Sequence, residues 1–170
     1  MTEREASPEE PGDQYPKCYE AALNYIEYRP RSEAEVRRHL MFKRRFSEEC
    51  VSRIVTRLKK LKLIDDTAFS EMWARERVSH RHKSSLMIRR ELMQKGVDGS
   101  IIQRVTGGID DEANALRAGM SKARHLKDLE YPEFYKRLAA YLSRKGYGSD
   151  LVKAVVTRLW ECRKGEKDGN

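Results

Sequence analysis

The side chains able to do chemistry are few in this sequence. His80 and His82 stand two residues apart, which turns them to different helix faces, and no Cys, Ser or carboxylate nearby completes a triad or ligand set. Cys18, Cys50 and Cys162 are odd in number and form no C-x-x-C pair, so neither a disulfide framework nor a zinc site is indicated. The pairs Asp65-Asp66 and Asp110-Asp111 could contribute to a cation site, but a hard cation needs about six oxygens. Capping and the helix dipole explain paired acids at helix starts without a metal. Phosphate-cradling glycine loops and the H-E-x-x-H zinc motif are missing, and Gly107-Gly108 falls where a helix should end. The reading is of a protein that is not an enzyme and takes no metal or cofactor.

What remains is positive charge. The 170 residues carry 35 Lys+Arg against 27 Asp+Glu, a formal net charge of +8. A soluble chain so charged favours a polyanionic partner, nucleic acid first. No apolar run approaches the roughly 20 residues of a membrane span, and no secretion signal is evident, so a cytoplasmic location is expected.

The cations recur in register because the chain repeats. From Phe46, Val97 and Tyr147 the next apolar positions fall at +4, +5, +8 and +12 in all three stretches. Val36 and Leu40, Ile88 and Leu92, and Leu138 and Leu142 precede them, with one extra residue between Leu40 and Phe46. The spacing keeps to one face of a helix, and no stretch alternates as a strand would. Ser47, Asp98 and Gly148 follow the anchor residues as N-caps, and Ser32 with Glu35 makes a capping box. Cys50 takes the slot of Ile101 and Leu151 and is therefore a core residue.

The fold expected is all-α: three tandem three-helix repeats over residues 17–64, 65–109 and 110–162. Residues 1–16, with the acidic stretch Glu3 to Asp13, and residues 163–170 read as disordered tails. Leu, Ile, Val and Phe make up only one residue in five, which suits several small cores better than one large core.

Within this frame Arg37-Arg38 and Arg89-Arg90 occupy the same slots after the buried Val36 and Ile88, where the third repeat has Ala139-Ala140. The turns that follow carry Lys43-Arg44-Arg45, Lys95 and Arg144-Lys145, while Arg75, Arg77, Arg81 and Lys83 extend the charge in the second repeat. A stripe of this kind can track a phosphate backbone, which gives affinity without base specificity. Three-helix units with a basic middle helix also suit a helix-turn-helix DNA-binding module, although only Ser52, Arg53, Thr56 and Arg57 resemble a recognition face. A scaffold that binds only protein is the other alternative.

Three stretches, RPRSEAEVRRHL (Arg29 to Leu40), LKLIDDTAFSEMWARERV (Leu61 to Val78) and IRRELMQKGV (Ile88 to Val97), resemble the RecX family of bacterial regulators of the RecA recombinase. Departures are the linker His80-Arg81-His82-Lys83-Ser84-Ser85 and the longer Leu126-to-Pro132 connection. The resemblance implies a non-enzymatic protein of elongated, curved shape that lies along the RecA–DNA filament and damps strand exchange, ATP hydrolysis and SOS induction; a repeat chain of that shape with charged ends is most simply a monomer. The basic residues above would be its contacts with filament and DNA. The acidic stretch Glu3 to Asp13 is expected to compete with DNA for them.

Overall fold

The computed structural model describes the backbone of residues 11–168 and the side chains of residues 14–164. Its elements are helical throughout: α1 (Pro11–Glu27), α2 (Glu33–Arg38), α3 (Glu48–Lys60), α4 (Asp66–Ser79), α5 (Ser85–Gln94), α6 (Gly99–Thr106), α7 (Asp111–Ala123), α8 (Tyr131–Arg144) and α9 (Ser149–Asp168). A π-helical turn, His39–Lys43, extends α2, and a 3₁₀ turn, Arg124–Leu126, follows α7. Among the described residues the nine α-helices fall into three successive groups of three, so the all-α, three-repeat expectation holds.

Caps set the helix starts. Ser32 accepts from the Glu35 amide while Glu35 accepts from the Ser32 amide, a complete capping box, and Ser47 accepts from the Cys50 amide. Asp65 accepts from the Thr67 and Ala68 amides, and Asp110 from that of Ala113. Each satisfies donors that the first helical turn leaves unpaired.

The chain divides into two compact units. The first runs to Phe69 and includes Lys95–Asp98; the second comprises Ser70–Gln94 and Gly99 onward. In the first, Val36 and Leu40 meet Val51, Ile54 and Leu58, all fully buried, together with Cys18 and Cys50. Burial, and then the adjacent Cys50 thiol, push the Cys18 thiol up to about 12. In the second unit Phe134, Leu138 and Leu142 pack on Val152, Val155 and Val156, and Ile88 and Leu92 are fully buried.

The ends differ from expectation. Helix α1 starts at Pro11, so residues 11–16 are helical; a first-position proline fits helical φ and lacks a donor that would be orphaned anyway. Tyr15 packs against the first core and holds this turn. Residues 1–10 lie outside the described residues. At the other end α9 continues to Asp168, secured where Arg163 donates to the Leu129 carbonyl at 2.8 Å and lies 4.6 Å over the Trp160 ring. Residues 169–170 lie outside the described residues.

Candidate functional site

The basic residues divide by what they touch, and a repeated junction explains the division. The second aspartate of each pair reaches an amide in another helix. Asp66 accepts from the Glu33 amide at 2.7 Å, and Asp111 accepts from the Ser85 amide and hydroxyl at 2.8 and 2.7 Å. The start of the middle helix in one repeat is thereby fastened to the start of the first helix in the next. The serine there reaches forward as well: Ser32 donates to the Lys95 carbonyl at 2.6 Å, and Ser84 to the Gly146 carbonyl at 2.8 Å. Each junction lies inside one compact unit, the first at residues 32–35, 66 and 95–96, the second at 81–85, 111 and 145–147.

The junction needs glycine. Gly96 and Gly146 have φ of 74° and 93°, and a Cβ on them would lie 2.4 Å from the Ala34 Cβ and 2.5 Å from the Ser84 hydroxyl. It also engages the lysine beside each glycine. Lys95 pairs with Glu35 at 3.0 Å, and Lys145 donates to the Arg81 carbonyl at 2.6 Å. Burial of Glu35 opposes its charge, but hydrogen bonds from Arg29, Lys95 and the Ser32 amide outweigh it, so the carboxyl is held below its ordinary range. Burial, then the charges of Lys83 and Arg81, draw the Lys145 ammonium below its usual range.

The same slot in the first repeat is built differently. Its residue is Arg45, at φ 63°, so the left-handed turn is retained without glycine. The extra residue between Leu40 and Phe46 is absorbed by the π-helical turn, whose wider loop closes when the Arg44 amide donates to the His39 carbonyl at 3.1 Å. Phe42, Lys43, Arg44 and Arg45 all face solvent, Phe42 at 64% exposure, and Arg38 beside them is exposed. Among the described residues none of these four cations is held by a carboxylate. Their field acts on His39, which stacks on Tyr25 at 3.9 Å: burial, then Arg44, Arg31 and Lys43, hold its imidazole below the usual range.

Other expected contacts have structural partners. Arg37 pairs with Glu33 at 2.9 Å and donates to the Ser52 hydroxyl at 3.2 Å. In the second unit Glu91 gathers Arg77 at 2.7 Å, the Trp73 indole at 2.8 Å, and Lys83. Burial alone would raise the Glu91 carboxyl; hydrogen bonds from Lys83, Arg77 and Trp73 overcome it and hold the group below its ordinary range. Arg77 also lies 4.0 Å over the Trp73 ring and meets Glu76. Arg89 donates to the Thr106 hydroxyl at 2.8 Å, and Arg81 stands 3.9 Å from Glu76. Arg75, Arg90 and Arg144 are exposed. An even stripe of solvated charge is therefore not what either unit presents. In the first unit Arg38 and the turn Lys43–Arg45 are open while Arg37 and Lys95 are engaged; in the second Arg77, Lys83 and Lys145 are engaged.

This architecture is matched by the models of the three successive RecX domains. The first three-helix domain of RecX matches residues 18–58, the second residues 65–105 and the third residues 110–156. The chain belongs to the RecX family. RecX regulatory proteins are similar over most of it: that of Mycobacterium tuberculosis is 36% identical over 141 residues, covering 79% of this chain and 80% of the relative. That of Oceanobacillus iheyensis is 32% identical over 146 residues, covering 84% of this chain but only 53% of the longer relative. The crystal structure of RecX from Lactobacillus salivarius superposes with a TM-score of 0.73 at 24% identity, covering 87% of this chain and 97% of that one, which shows the shared fold. These RecX relatives are named as regulatory proteins. No helix among the described residues is long and apolar enough to cross a membrane.

Proposed function

We propose that this protein is a non-enzymatic regulator that binds the RecA–DNA filament and restrains strand exchange, ATP hydrolysis and SOS induction. Membership of the RecX family supports the regulatory role, and the cation-bearing turn of the first repeat supports the mode. The observation that carries the site is the contrast at one slot of the repeat. Lys95 and Lys145 are drawn into junctions, whereas Lys43, Arg44 and Arg45 stand in solvent, with Arg45 left-handed, where a π-helical turn ends. Non-glycine residues held at positive φ recur where a backbone is committed to function.

Solvated cations without a carboxylate partner meet phosphates or acidic protein surface without first breaking an ion pair. Arg38 and, in the second unit, Arg75, Arg90 and Arg144 add weaker contacts of the same kind. On an extended polymer such contacts act together, since once one is made the others form at high effective concentration. The test is the DNA-dependent ATPase of the cognate RecA with substoichiometric amounts of this protein. A fall in rate is expected, together with shorter filaments by electron microscopy. An unchanged rate and an unchanged length distribution would overturn the reading.

A further inference from the structure

Each repeat has a surface groove bordered by its first and third helices. The grooves of the second and third repeats, of about 580 and 650 Å³, mix both signs of charge: Glu71 and Asp110 with Arg75, Arg104 and Arg117 in one, Asp110, Glu112 and Asp150 with Arg158 in the other. The groove of the first repeat, about 480 Å³, is lined by Tyr15, Ser52, Arg53, Thr56, Arg57 and Lys60, with no acid among them. Of these three grooves, that of the first repeat is the one whose cations face no acid across the lining.

Arg53, Arg57 and Lys60 are all exposed, and among the described residues none is in an ion pair. They lie at i, i+4 and i+7 on α3, one face of the helix, and span about 10 Å along its axis. Aromatic rings hold the guanidinium groups in place. Arg53 lies 5.1 Å from the Tyr15 ring centroid and Arg57 lies 4.5 Å from that of Tyr19, while Arg57 donates to the Tyr15 hydroxyl at 3.2 Å. The Ser52 hydroxyl accepts from Arg37, which leaves its proton to donate into the groove.

We infer that this α1–α3 groove is a binding site for the phosphodiester backbone of a nucleic acid, separate from the Lys43–Arg45 turn. Three aligned cations about 10 Å end to end match a polymer with a charge every few ångströms along each strand. Preset arginines lose less freedom on binding than free ones. The contact proposed is with phosphate charge, which every sequence carries alike, so it positions a strand without reading its bases. The site needs no recombinase, so its failure would leave the filament reading standing, and failure of the filament reading would leave this site standing.

The test uses the full chain, fluorescein-labelled oligothymidylate and anisotropy across a salt series, without RecA. The variant R53Q/R57Q is expected to bind about tenfold or more weakly at low salt. The slope of log affinity against log salt should fall by about 1.4, at about 0.7 per phosphate contact on a single strand. Lys60→Gln, whose side chain lies in solvent, should lower the slope by about half as much and keeps the test usable if the double variant unfolds. Unchanged affinity and slope in folded protein would overturn the proposal. So would displacement of the oligonucleotide by inorganic phosphate well beyond that by chloride at equal ionic strength, which would make the groove a small-anion site.

Discussion

Gly96→Ala and Arg45→Gly perturb the same slot of two repeats, and the structure requires opposite responses. At Gly96 a methyl group faces two penalties. The backbone φ of 74° is left-handed, which costs a non-glycine residue about 1–2 kcal/mol. The new Cβ would stand 2.4 Å from the Cβ of Ala34, more than 1 Å inside the roughly 3.5–4.0 Å at which carbons rest, and Ala34 is a backbone-anchored methyl that cannot rotate away. Forced overpacking adds about 1–3 kcal/mol. The expected loss is therefore about 3 kcal/mol, or about 6–12 °C in the melting transition of a chain this size. At Arg45 the turn is equally left-handed, but the side chain is in solvent, so glycine relieves strain and crowds nothing. That gain is partly offset by the greater freedom glycine gives the unfolded chain, leaving stability unchanged or raised by up to about 1 kcal/mol. Gly108→Ala is the control, since nothing lies within 4 Å of its added Cβ and its backbone is not left-handed. Thermal and urea unfolding followed by circular dichroism measure all three. If Gly96→Ala unfolds within about 0.5 kcal/mol of the parent, the junction is not the close contact described, and the contrast between engaged and open turns loses its basis.

Further outcomes follow from the same contacts. Glu91→Ala strips the shared carboxylate from the largely buried Arg77 and Lys83 and should cost about 2 kcal/mol, read by urea denaturation. Because the Glu35 and Glu91 carboxyls are held below their unfolded value, their stabilisation is complete above the unfolded pKa near 4.5. It is lost as pH falls through the lower folded values, so urea midpoints should be flat at neutral pH and drop below about pH 4.5. Ellman's reagent should titrate one thiol in the native chain, the exposed Cys162, and three in denaturant, because Cys18 and Cys50 are buried and Cys18 is pushed up to about 12.

The repeat, the caps at Ser32, Ser47 and Asp110 and the core role of Cys50 were legible because helical periodicity and capping are local. The identity of the open cations was not. Lys95 looks like Arg44 in sequence, and only the approach of Glu35, sixty residues away, makes it structural. The aspartate pairs were half legible: Asp65 and Asp110 cap as their position implies, but Asp66 and Asp111 answer to amides in another helix. The start of α1 at Pro11 was hidden by acidic, proline-bearing text whose helicity is anchored through Tyr15. The extra residue after Leu40 was visible as a slip in register; that it would become a π-helical turn carrying the open cations was not.

The central claim is that the turn of the first repeat, released from junction duty, makes the regulatory contact. Its most direct test is a titration of the cognate RecA's DNA-dependent ATPase with the parent chain and with K43Q/R44Q/R45G, whose three changes remove solvated charges and leave helicity and melting temperature unchanged or slightly raised. The midpoint of inhibition should move to at least about tenfold higher concentration, about 1.4 kcal/mol. Superimposable inhibition curves for the two folded proteins would contradict the account.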